Sequence, residues 1–212
     1  MIAGSGTDAG KTFVACRLVE DLLARGLSVG VRKPVVSGFV DDSGSDPARL
    51  MAAAASTEPL DRVSPWRFPD PVAADEAARR AGVVVDLDEV VAACAGSFDV
   101  VVVETAGGVM SPLTDHQTCL DLVLALKAPV MLVVDASYLG SISHGLTAFR
   151  ALAKSGADVV AVVVNRGSSE PFRRFLPKAP VLDVDERVEL AARIAGLLPS
   201  SVSLQHEAGR VR

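Results

Sequence analysis

Met1-Ile2-Ala3-Gly4-Ser5-Gly6-Thr7-Asp8-Ala9-Gly10-Lys11-Thr12 opens the chain, and its order of residue types decides the fold class. Met1 to Ala3 reads as the end of a first strand, cut short. The glycine-rich stretch Gly4 to Gly10 follows, and the apolar spacing from Lys11 to Arg25 predicts a helix. Strand, glycine turn and helix in succession make a phosphate-binding loop. Glycines let backbone N–H groups face an anion, and the helix N-terminus adds its positive end. The common pattern keeps four residues between its glycines. Here Ser5 stands at the first glycine position and Gly4 supplies the glycine one residue earlier. Lys11 is placed to reach the β and γ phosphates of ATP, and the Thr12 hydroxyl to ligate Mg²⁺. Gly6, Thr7, Asp8, Ala9, Gly10 and Phe13 complete the expected nucleotide contacts.

Working outward, strands and helices alternate. Leu27 to Arg32 reads as a second strand ending at Lys33-Pro34, and Ser37 to Ser45 as a loop. Helices are predicted over Asp46 to Ala55, Val72 to Ala81, Leu87 to Ala95, Gln117 to Leu126 and Ile142 to Ser155. Buried strands are predicted over Asp99 to Glu104, Pro129 to Asp135 and Val159 to Asn165. A short last strand at Val181 to Val184 and a last helix from Glu186 to Leu198 complete the pattern. This alternation implies right-handed βαβ units. The expectation is an α/β fold: a three-layer P-loop domain over residues 1–199, with a mostly parallel central sheet flanked by helices and a polar tail at 200–212. Ligands in such folds bind at the carboxyl ends of the strands.

Composition narrows the function. Of 212 residues half are hydrophobic, enough for one sizeable core. The net charge of −5 argues against a nucleic-acid surface. No apolar run reaches the roughly 18 residues of a membrane span, and no signal peptide is visible. Three scattered cysteines, Cys16, Cys94 and Cys119, suit free thiols in a reducing cytoplasm. The three histidines have no spacing with cysteines that would hold zinc.

Mg²⁺ takes oxygen ligands, one or two of them carboxylates. Glu104 ends the apolar run Val100 to Val103, in a strand expected to neighbour the first, and is the first candidate metal ligand. Asp46 is the second. Its competing reading is a helix N-cap, a position that favours Asp.

Four segments together resemble the dethiobiotin synthetase family: Gly4 to Thr12, Lys33-Pro34-Val35-Val36-Ser37-Gly38, Glu104-Thr105-Ala106-Gly107-Gly108, and Tyr138-Leu139-Gly140-Ser141-Ile142-Ser143-His144. Asp46-Pro47 and Ser64 to Phe68 also fit. The resemblance runs from Met1 to Asn165. It implies that 7,8-diaminononanoate, CO₂ and ATP give dethiobiotin, ADP and phosphate through a carbamate and a carbamic-phosphoric mixed anhydride. It further implies catalytic roles for Lys11, Lys33 and Thr7, metal ligation by Thr12, Asp46 and Glu104, and substrate contacts from Ser37, Gly107 and Gly108. Asn165 matches a position that reads the adenine base. Residues Tyr138, Leu139, Gly140, Ser141, Ile142 and Ser143 are implied to reach across a homodimer interface to the substrate's carboxylate tail.

Two residues depart from the family pattern: Thr105 stands where Gly is common, and Ser143 where Asn is frequent. Asp8 reads equally as a partner for an ammonium or a turn cap, Tyr138 as a lining or a packing residue, and Trp66 as a pocket cover or core. His144 is read as structural. A switch or partitioning ATPase would share the loop, but it needs an early lysine that Gly4 to Gly10 does not contain. An amidotransferase-type synthetase would need a glutaminase domain.

Overall fold

The computed structural model describes residues 1–186 and positions 192 and 196. The first strand, β1 (Ile2–Gly4), leads through the glycine loop into α1 (Lys11–Ala24). Val14, Ala15, Leu18, Val19 and Leu22 form the buried stripe of that helix at the expected three- and four-residue steps. The second strand, β2 (Val29–Arg32), is followed by β3 (Val35–Ser37), α2 (Asp46–Ala53), α3 (Leu60–Val63) and β4 (Trp66–Phe68). Next come α4 (Ala74–Arg80), α5 (Leu87–Ala93), β5 (Val100–Val103) and α6 (Cys119–Leu126). Then follow β6 (Val130–Ala136), α7 (Ser141–Lys154), β7 (Val159–Gly167), α8 (Glu170–Phe175), β8 (Val181–Asp183) and a 3-10 turn at Val184–Glu186.

Among the described residues all the strand pairings are parallel. Strands β1, β6, β7 and β8 form one sheet, while β2 pairs with β5. A parallel bridge between Ile2 and Glu104 joins the two sets, giving the order β2-β5-β1-β6-β7-β8. The strand that ends in Glu104 therefore lies beside β1, as expected. Side chains alternate across the sheet. Leu132 and Val134 join a core that includes Leu122 and Leu152, while Met131 and Val133 join another that includes Val14 and Leu18. These two apolar layers confirm the flanked parallel sheet. No described helix is long and apolar enough to cross a membrane.

Four elements depart from the expected pattern. Val35 to Ser37 pairs with Trp66 to Phe68 in a separate parallel ladder, so the segment expected to loop from Ser37 begins in a strand. The helices α3 and α8 were not expected. Both are short, at 4 and 6 residues, too short for an apolar period to show. The predicted last helix, apart from Glu186, and the tail at 200–212 fall almost wholly outside the described residues.

Helix α2 removes the competing N-cap reading of Asp46. Its N-cap is Ser45, whose hydroxyl accepts from the Ala48 N–H at 3.4 Å, and Asp46 is the first helical residue. The capping work is done one residue earlier, which leaves the Asp46 carboxylate available to the cleft.

Candidate active site

A cleft of about 780 Å³ opens at the carboxyl ends of β1, β2 and β5. Its lining brings together Thr7, Asp8, Gly10, Lys11, Thr12, Phe13, Lys33, Ser37, Asp46, Glu104 and Gly107. These residues come from four separate stretches of sequence.

The backbone of the loop is fixed by the strands around it. The Ser5 N–H donates to Val133 O at 2.9 Å, and the Val109 N–H donates to Gly4 O at 2.9 Å. Gly10 sits at φ 93 with the Asn165 amide against it; a Cβ there would lie 2.1 Å from Nδ2. Only glycine meets both demands. Lys11 leans back over the loop, and its ammonium donates to Gly6 O at 3.2 Å.

The charged centre lies beside it. Glu104 Oε1 accepts from the Thr12 hydroxyl at 2.8 Å and from the Lys33 ammonium at 2.6 Å. Lys33 also ion-pairs with Asp46. Glu104 is 1% exposed, and its Oε2 is buried with no hydrogen-bond partner among the described residues. Burial alone would lower the Lys33 pKa, but Glu104 and Asp46 together raise it above the usual lysine value. Burial opposes ionisation of Asp46, yet Lys33 brings its pKa below the carboxylate norm. Burial depresses Lys11, only partly offset by Glu104.

Lys33 is held from behind, since its N–H donates to Val63 O at 3.0 Å. The neighbouring Arg32, 1% exposed, forks onto Glu58 at 2.7 and 2.9 Å. Thr105 is also buried, and its N–H continues the pairing by donating to Ile2 O at 3.0 Å. The backbone at Thr105 thus continues the pairing of the strand end.

Some expected site residues stand apart from the lining. Ala9 and Gly108 are buried; Gly108 packs so closely on the loop that a Cβ would meet Gly6 Cα at 3.2 Å. Gly6 and Asn165 also lie off the lining, with the Asn165 amide donating to Ala9 O at 3.2 Å. Tyr138, Leu139, Gly140, Ser141, Ile142 and Ser143 form the turn into α7 and do not line the cleft of their own chain. Leu139 is fully exposed, while Ser141 is buried. The Tyr138 hydroxyl and His144 Nδ1 are 2.9 Å apart, which ties the turn to the helix.

The sequence reading missed Arg49, Ser111, Arg166 and the stretch Pro71 to Ala74, all on the lining. Arg49 had a usable signal, because it lies three residues after Asp46 on the same helix face. The others had none of comparable strength.

Comparison with known proteins agrees with this geometry. A family described as an AAA domain matches residues 1–208. An ATP-dependent dethiobiotin synthetase BioD of Caulobacter vibrioides (strain NA1000 / CB15N) is 46% identical over 177 residues, covering 80% of each chain. The protein of the same description from Phenylobacterium zucineum (strain HLK1) is 41% identical over 208 residues, 93% of this chain and 85% of the relative. The chain belongs to the dethiobiotin synthetase family. A third relative, from Methylobacterium nodulans (strain LMG 21967 / CNCM I-2342 / ORS 2060), is 41% identical over 184 residues, with 80% and 81% covered.

For this dethiobiotin synthetase family member, the cleft has the equipment for phosphoryl chemistry. A backbone cradle, two lysines and two carboxylates surround one space. The oxygens of Thr12, Asp46 and Glu104 converge there, and one of them, Glu104 Oε2, is buried without a bond among the described residues. Hard oxygen donors of this kind fit Mg²⁺, which typically takes one or two carboxylates and shares its remaining positions with phosphate and water.

Proposed function

We propose that this chain is a dethiobiotin synthase, an ATP-dependent cyclo-ligase closing the ureido ring of 7,8-diaminononanoate. One substrate amine captures CO₂ as a carbamate. The carbamate oxygen takes the γ-phosphoryl group of ATP, releasing ADP. The second amine then attacks the carbonyl carbon and expels phosphate. The observation that carries the reading is the Lys33 ammonium, 2.6 Å from Glu104 Oε1 in the same cleft as Lys11 and Thr12.

Thr12, Asp46 and Glu104 would hold Mg²⁺, which would neutralise charge on the β and γ phosphates. Lys11 neutralises the same oxygens, and the loop N–H groups around Gly10 bind them. Lys33 neutralises the carbamate and the transferring phosphoryl group, while Thr7, Ser37 and the backbone at Gly107 orient the diamine. Both attacking groups are competent by themselves, a carbamate as an anion and an amine as a neutral base, so positioning supplies most of the rate.

The chain is proposed to work as a homodimer in the cytoplasm. The Tyr138–Ser143 segment, exposed except at Ser141, lies off its own cleft, which suits delivery of its N–H groups to a carboxylate in a second copy. The free thiols among the described residues suit a reducing compartment. Phosphate release from ATP and Mg²⁺, with diaminononanoate and bicarbonate present or withheld, tests the reading. Release that requires both supports it, together with a product of dethiobiotin mass. Release indifferent to the diamine points instead to a switch ATPase.

A further inference from the structure

The end of β7 sends two consecutive side chains to the same loop. Asn165 Nδ2 donates to Ala9 O at 3.2 Å, and the Arg166 guanidinium donates to Asp8 O at 2.7 Å. Neighbours on a regular strand point to opposite faces, so one of the two would ordinarily point away. The pairing with β6 explains the exception. Val134 pairs with Val164, but Asp135 pairs with Arg166, leaving Asn165 as the extra residue of a register shift. A bulge of this kind re-aims side chains.

The Arg166 nitrogen that reaches Asp8 O is anchored a second time. Asp135 meets its guanidinium at 2.5 Å. Asp135 is itself held, since its Oδ1 accepts from the Ser137 N–H at 2.9 Å and the Ser137 hydroxyl at 2.6 Å. The chain of contacts ends on Asp8, whose φ of 58 lies in the left-handed region. A left-handed residue inside such a loop decides which way the neighbouring peptide groups face. With the Asp8 carbonyl drawn to Arg166 and the Ala9 carbonyl drawn to Asn165, the N–H groups of the same trans peptides point the opposite way.

We propose that Arg166, clamped by Asp135, is a positioning residue that presents the phosphate loop to nucleotide phosphates. The inference rests on the nucleotide-binding reading of the cleft. The Arg166 side chain is 52% exposed, so its pair with Asp135 adds little to stability. Its effect belongs in phosphate binding. Arg166 also lines the cleft, so the test must separate holding the loop from touching the phosphate.

Calorimetric titration of the whole chain with Mg·ADP and with adenosine makes that separation. Wild-type binding of ADP sets the baseline, and its absence would count against the nucleotide reading itself. Arg166→Ala is expected to weaken ADP roughly tenfold, the scale of one charged hydrogen bond, and to leave adenosine unchanged. Arg166→Lys, which keeps a charge and a donor but not the planar guanidinium, recovers part of the loss. Asp135→Asn loosens the clamp and weakens ADP in the same direction. Three results would overturn the proposal: ADP affinity unchanged in Arg166→Ala, equal losses for ADP and adenosine, or tighter ADP binding in Asp135→Asn. The last would mean that a freed Arg166 contacts the phosphate directly.

Discussion

The Lys33 ammonium lies 2.6 Å from Glu104 Oε1 and simultaneously on Asp46, so one lysine occupies the point where both candidate metal-binding carboxylates meet. The pair is almost fully out of water, with Lys33 and Glu104 side chains 8% and 1% exposed. Removing one member of a buried pair typically costs about 3–5 kcal/mol, because the other charge is left uncompensated. The contact thus has two faces: it balances the free site, and it occupies the carboxylates proposed to hold Mg²⁺.

Lys33→Ala should therefore lower the melting temperature in metal-free buffer by more than the loss of an exposed lysine would. Mn²⁺ or Mg²⁺ should restore more stability to the variant than it adds to wild type, and Mn²⁺ affinity without nucleotide should rise. Thermal shift and electron paramagnetic resonance titration measure both. Turnover should vanish while ADP binding persists. Unchanged Mn²⁺ affinity would mean that Lys33 and the cation do not compete.

The same contact sets a pH window. Asp46 has its pKa lowered below 3.8 in the folded chain, so it binds fewer protons folded than unfolded in acid. Its contribution is present above 3.8 and fades as pH falls through the lower folded value. Lys33 is raised above 10.5, so its contribution is complete below 10.5 and fades only as pH climbs through the higher folded value. Between those limits the pair contributes a constant amount. In urea unfolding from pH 2 to 6, the stability gap between wild type and Asp46→Asn should shrink below about pH 3.8, the ordinary carboxylate value. Parallel curves would remove Asp46 from the account.

These charged contacts also show what the sequence could and could not reveal. The loop from Gly4 to Thr12 was legible because its strand, glycines and helix are contiguous. The place of Glu104 beside β1 followed from an apolar run ending in an acid. Asp46 was ambiguous only because Ser45 and Asp46 are both good caps, and the backbone chose Ser45. The β3–β4 ladder was not legible, since three-residue strands joined across α2 and α3 carry no period. Arg166 was hidden for a different reason. Alternation along β7 assigns it one face, and the shift at Asn165 turns it to the other.

Gly108 offers a test of how tightly the loop is seated. A Cβ there would meet Gly6 Cα at 3.2 Å and Ser5 O at 3.3 Å, both backbone atoms of the phosphate loop. Neither can swing aside as a flexible side chain would, so Gly108→Ala must push the loop by a few tenths of an ångström. Overpacking of this kind costs about 1–3 kcal/mol. The expected outcome is a several-fold rise in the KM for ATP, with a small loss of thermal stability. Gly82→Ala is the control, because nothing lies within 4 Å of its Cβ. Its left-handed φ of 66 predicts some lost stability but an unchanged KM. Equal KM values for both variants would show that the loop tolerates the displacement.

Leu139 tests the proposed assembly. It is fully exposed, flanked by Tyr138 at 44% and Ile142 at 36%, on the turn that opens α7. Burying such side chains against a second copy removes apolar area from water at about 25 cal/mol per Å², and a carboxylate there would have to be desolvated without a partner. Leu139→Asp should yield a monomer by light scattering. Because the turn lies off its own cleft, the monomer should keep ADP binding and lose the diamine. A Leu139→Asp protein that stays dimeric, or a monomer with full turnover, would show that each cleft works without its neighbour's turn.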